Sequence, residues 1–223
     1  MYVTPPMRND PRPAGGPPWW LVIGPGLAAL IGLFLLTVIY RFDGVSALQA
    51  DLGMSSQSLL LIGLVAYLVA AVLAFPAGLL LGARFPTSVT VPAICLMLLG
   101  VLLVAFVPDS GLLLVGRVLN GLGAGAALGV TAALIRRLRT GRAAAAGVTA
   151  GLGVLALVIA PFLGGLISDA LSFRIVYLIA ALFVFVALVA AAVTGIVTLM
   201  SAKPPAPPMP HGVPYPPQGP PPA

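Results

Sequence analysis

Glutamate is absent from this 223-residue chain, and cysteine and histidine occur once each. Those gaps exclude a good deal of chemistry. A single Cys closes no intramolecular disulfide and builds no cysteine metal centre; Cys95 lies in an apolar run, where an inert, packed thiol is expected. His211 stands alone near the C-terminal end with no neighbouring ligand residues, so no metal site and no cofactor are expected. With five Asp and no Glu there is no paired carboxylate, no His in the apolar body and no nucleophile beside a base. An enzyme has nothing to start from. Charge itself is scarce, at 7% of residues against about a quarter in a soluble domain.

What is present is hydrophobic, at 60% of residues, and the chain is read as an all-α integral membrane protein whose main partner is the lipid bilayer. Crossing the hydrocarbon takes about 20 mostly apolar residues. Six runs of that length are bounded by charge, Pro or Gly: 19–40, 58–81, 88–107, 111–135, 143–167 and 175–200, together one transmembrane domain over 19–200. The connections are short, except that 41–57 has room for an extra half turn at "ALQADLGM". The flanks 1–18 and 201–223 are Pro-rich and are expected to be extended, polyproline-like tails. Such tails suit a solvated spacer, and also a docking segment for a proline-recognising module. A cleaved signal peptide is the rival for the first run, but the run exceeds an h-region and Trp19-Trp20 suits an interfacial anchor.

The net charge of +6 does not point to nucleic acid, because its placement matters more than its sum. With the N-terminus inside, the inner side holds Arg8, Arg12, Arg84, Arg136, Arg137, Arg139, Arg142 and Lys203, and the outer side only Arg41 and Arg174. The positive-inside rule then places both termini in the cytoplasm of a cell inner (plasma) membrane protein. Asp43, Asp51, Asp109 and Asp169 fall outside. No carboxylate lies at mid-membrane, so a carboxylate proton relay has no candidate residue.

The fourth run, "LLLVGRVLNGLGAGAALGVTAALIRRLR", carries an Arg within a turn or two of its outer end. An intramembrane Arg is costly enough to suggest function, although a residue snorkelling to the interface is the plainer alternative. At 100° per residue Arg117, Asn120, Gly121, Ala124 and Thr131 share one face. Gly121, Gly125 and Gly129 repeat every fourth position, which lets another helix approach closely. "GLGAGA" also fits a loose dinucleotide-binding pattern, but no strand precedes it and the match is chance. In the fifth run Gly153, Ala156, Ala160 and Gly164 share a face, while Pro161 removes one backbone bond and presses on the carbonyl four residues earlier. A bend is expected there, as a packing kink or as a hinge, and neighbouring protein or water must satisfy the freed carbonyl.

Several of these segments resemble one family in family order. "GRVLNGLGAGA" is similar to the fourth-helix motif of the major facilitator superfamily, where an Arg is followed at plus three by a polar residue, then Gly and other small residues. "APFLGG" resembles the fifth-helix motif of its drug/antiporter-type branches, G-P-x-x-G-G, with Ala160 for the first Gly, then Pro161, Gly164 and Gly165. "SFRIVYLI" resembles the aromatic-Arg opening of the sixth helix, and "ADLGMSSQSLLLIGLVAYLVA" the passage from helix one to helix two. The loop after helix two departs from the family: "GLLLGARFPTS" has Gly82 where an acid belongs and keeps only Arg84 of the basic cluster.

The resemblance covers the N-terminal six-helix half of a twelve-helix fold and implies a half bundle with a 3+3 inverted repeat. Such a half leaves its cavity face open. The implied function is transport of a small molecule as a half-size transporter, with a homodimer or a second six-helix half covering that face. Arg117 is then the expected cavity charge, with Asn120 and Thr131 as neutral neighbours; Tyr67 either lines the same cavity or is a packed aromatic. The missing loop signature favours the alternative, a non-transporting scaffold subunit of a larger membrane complex.

Overall fold

The computed structural model describes residues 19–41, 46–107, 109–138 and 140–201. Asp43, Arg139 and the Pro-rich tails, with Arg8, Arg12, Lys203 and His211, lie outside the described residues. Among the described residues six helices are long and apolar enough to cross a membrane: Trp19–Thr37, Ser56–Gly82, Pro86–Ala105, Ser110–Arg137, Arg142–Ala170 and Phe173–Thr198. They are called here the first to sixth spans.

Local chemistry sets their ends. The first span opens with a 3-10 turn, Trp19–Val22, and continues as α-helix over Ile23–Thr37. It therefore stops at Thr37, short of the Tyr40 that hydropathy alone suggests. The connection that follows holds a short helix, Ala47–Asp51, capped by the Ser46 hydroxyl and closed by Gly53 at φ +60. Ser55 caps the second span in the same way. Asp109 caps the fourth, its carboxylate accepting from the Gly111 and Leu112 amides at 2.8 and 3.0 Å, while Arg136 and Arg137 occupy the last turn. Both ends thus complement the helix dipole.

The fourth span is the axis of the bundle and the most buried of the six. It packs against the second and third spans and, less extensively, the first; the third packs on the sixth, and the first on the fifth and sixth. Glycine makes this possible on two faces. Side chains added at Gly121, Gly125 and Gly129 would run into the backbone carbonyls of Tyr67, Ala71 and Phe75 in turn, so the two helices touch main chain to main chain every fourth residue. On the other face Gly116 meets the Gly100 carbonyl and Gly123 meets Met97. With no hydrophobic drive between helices in lipid, such close packing is the main attraction available.

The second and fifth spans are the least buried. Cys95 is also exposed, on the third span, rather than packed as its apolar surroundings suggest. In a membrane protein an apolar run faces lipid as readily as core, so hydropathy does not decide which side a thiol takes.

Candidate functional site

Arg117 lies at the junction of three spans and is fully buried. Its Nε and Nη2 donate to the Gly63 carbonyl at 2.8 and 2.6 Å, Nη1 to the Leu35 carbonyl at 2.7 Å, and Nη2 also to the Leu36 carbonyl at 3.0 Å. These acceptors are available for a structural reason. Leu35 and Leu36 belong to the last turn of the first helix, whose final carbonyls lack intrahelical donors. Gly63 sits in a π-helical stretch, Leu60–Val65, where the ladder is widened. The guanidinium therefore caps the negative end of one helix and the bulge of another.

Tyr67 completes this junction. Its ring centroid lies 4.6 Å from the Arg117 Cζ, and its hydroxyl donates to the Gly32 carbonyl at 2.6 Å. The Tyr177 hydroxyl is buried close to the same guanidinium but outside regular hydrogen-bond geometry. Among the described residues no carboxylate takes part. The charge is balanced by carbonyl dipoles and a π face, in a site that holds the first, second and fourth spans together.

The structure brings Tyr67 and Arg117 together and sets Asn120 and Thr131 apart from them. Asn120 is buried against Gly100 of the third span, and neither its Oδ1 nor its Nδ2 has a hydrogen-bond partner. Thr131 lies toward the other end of the helix, its Oγ1 donating to the Ala127 carbonyl at 2.7 Å. The face read from helical angles is wide enough to meet more than one neighbouring helix.

Ala160, Pro161 and Gly164 are buried in the fifth span, which continues as helix through Pro161 to Ala170. A methyl on Gly164 would sit 2.6 Å from the Val38 carbonyl. The carbonyl that Pro161 deprives of a donor belongs to Leu157, and the Thr37 hydroxyl of the first span donates to it at 2.9 Å. Sequence reasoning locates that acceptor but not its donor. Gly165 lies beside Arg41, which pairs with Asp169 at the end of the bundle where the fifth span finishes. Arg174 and Asp51 form a longer pair nearby, 3.6 Å apart.

Toward the opposite end, the first, second, fourth and fifth spans part to leave a cleft of about 450 Å³. Thr131 and Thr149 bring hydroxyls to a largely apolar wall, and Arg136 and Arg142 stand at its mouth. Arg137 is exposed away from the cleft, and Arg84 is exposed in the turn after the second span, 5.9 Å from the Phe85 ring centroid. Among the described residues no group of His, Cys, Asp and Glu is arranged to hold a metal.

Residues 26–214 match the family profile described as Major Facilitator Superfamily. No curated protein matches the chain.

Proposed function

Since the chain belongs to the major facilitator superfamily, we propose that it works as a half-size transporter, moving a small molecule as a homodimer or with a second six-helix half. Members of this family are transporters, and the chain is a multi-pass membrane protein and not an enzyme.

One observation carries the reading. The cleft is walled by four spans on one side only, and the two spans that flank its open side, the second and fifth, are the least buried. Beside the cleft mouth the fifth span exposes small residues at every fourth position, Ala143, Gly147 and Gly151, and nothing lies within 4 Å of a side chain added at either glycine. That surface suits close helix packing.

The packing scheme also supports a 3+3 inverted repeat. Exchanging the first three spans for the last three turns the second-on-fourth contact into fifth-on-first and third-on-fourth into sixth-on-first, and leaves the third-sixth and first-fourth pairs as themselves. Arg84, Arg136, Arg137 and Arg142 gather at one end and Asp51, Asp109 and Asp169 at the other. This favours an inner-membrane protein with both tails cytoplasmic.

The accessory-subunit reading has its own support in Gly82. A side chain there would press on Val130 of the fourth span, so helix packing occupies the place where the family loop carries an acid. Native mass measurement of the full chain in nanodiscs separates the two. Two copies, or a one-to-one pair with another six-helix chain, is the expected result; stoichiometric copurification with an unrelated membrane complex overturns the transporter reading.

A further inference from the structure

The cleft at the inner end of the bundle is built for one kind of molecule. Its wall is apolar apart from Thr131 and Thr149, and the Thr131 hydroxyl is already engaged with the Ala127 carbonyl. A ligand rich in hydroxyls or amides would bury them unsatisfied against such a wall. At the mouth, Arg136 and Arg142 come from the end of the fourth span and the start of the fifth, and neither has an acidic partner among the described residues. The described acids, Asp51, Asp109 and Asp169, lie at the far ends of their elements.

The cleft has a neighbour to its side. A second cavity of about 370 Å³ lies on the flank of the first and fifth spans, and Leu30 and Thr149 line both cavities. The two spans touch through Val38 with Gly164, Thr37 with Leu157 and Leu33 with Gly153, and beyond these contacts, toward Arg142, the two cavities lie against them. Trp19, 70% exposed, stands at the rim of the flank cavity. Indole at that level belongs at the lipid headgroups.

We infer that this cleft binds a single-chain amphiphilic anion, with the acidic head between Arg136 and Arg142 and the apolar body along the cleft wall, entering from the inner leaflet between the first and fifth spans. A volume of about 450 Å³ is that of a small-molecule pocket and suits one chain rather than the two of a phospholipid. The inference rests on the transporter reading only for naming this molecule as cargo; its binding is a property of the cleft.

The test is equilibrium binding of radiolabelled oleate to the purified full chain in phosphatidylcholine nanodiscs, with empty discs as baseline. Saturable binding above baseline is expected. Arg136→Gln with Arg142→Gln should weaken it about tenfold or more, and Lys at both positions should restore most of it. Arg137→Gln, outside the cleft, should change nothing. Ala150→Trp, which fills the cleft, should abolish binding while elution and circular dichroism stay unchanged. Methyl oleate should bind more weakly and be indifferent to the two arginines. Binding no greater than in empty discs, or binding that ignores both the double Gln variant and Ala150→Trp, overturns the inference. So does displacement of oleate by a stoichiometric amount of phosphatidylglycerol, which would give the cleft to a membrane lipid. Because no flux is measured, oleate binding without transport would count against the transporter reading alone. Transport of a different solute without oleate binding would count against this inference alone.

Discussion

Replacing Thr37 by Val removes one hydroxyl and keeps the shape and the β-branch. The Leu157 carbonyl then loses its donor, because Pro161 has no N–H to offer. Leaving a carbonyl unsatisfied in a part-buried site costs about 1–3 kcal/mol, whereas side-chain hydrogen bonds measured between membrane helices average about 0.6 and reach about 1.7 kcal/mol. A cost near 1 kcal/mol is therefore expected for Thr37→Val. The informative comparison is the same change made with Pro161→Ala, where the new amide at position 161 donates to Leu157 and the hydroxyl is no longer needed. There Thr37→Val should cost less than about 0.5 kcal/mol, a coupling comparable to the bond itself. Reversible unfolding of the four proteins in mixed micelles, with unchanged slopes, measures the cycle. Equal costs in both backgrounds, within about 0.3 kcal/mol, would refute the claim that Thr37 replaces the bond proline removed.

Other substitutions probe separate parts of the account. Arg117→Lys keeps the charge but not the planar fork that reaches Gly63, Leu35 and Leu36, and should lower thermal stability by about 2 kcal/mol or more; an unchanged melting curve would show that the junction does not hold the three spans. Gly125→Ala should cost about 1–3 kcal/mol, because its methyl meets the Ala71 backbone. Gly147→Ala, in open space within one chain, should leave the melting curve of the detergent-solubilised monomer where it is. Asp109→Ala should cost about 1 kcal/mol through loss of the cap on the fourth span, measured as a shift in thermal midpoint.

Much of the architecture was legible because the bilayer imposes it: a run of about 20 apolar residues is a physical requirement, and six such runs give six spans. The glycines at 121, 125 and 129 announced a close helix contact. They did not name the partner, since the second span meets them with backbone at Tyr67, Ala71 and Phe75, and a carbonyl leaves no mark on a sequence. Arg117 was conspicuous for the same kind of reason, and its aim was hidden for the same reason too. Among the described residues its hydrogen-bond acceptors are main-chain oxygens, one of them freed by a π turn that no residue pattern in "LLIGLV" signals. Pro161 identified an orphan acceptor, but Thr37 lies 120 residues away and only the fold brings it there. The cleft is a gap between helices. Its rim arginines were visible as charges, while the space between them belongs to the packing of four spans.

If the bundle works as proposed, protein and not lipid covers its open side. A photo-reactive benzophenone side chain at Val158, 53% exposed on the fifth span along the same face as Gly147 and Gly151, tests it in living cells against the same group at Leu182, 62% exposed on the sixth. Illumination at 158 should yield an adduct with a second copy of the chain or another six-helix chain, and illumination at 182 lipid adducts. Lipid adducts alone at 158, with no difference between the two positions, would contradict the proposal.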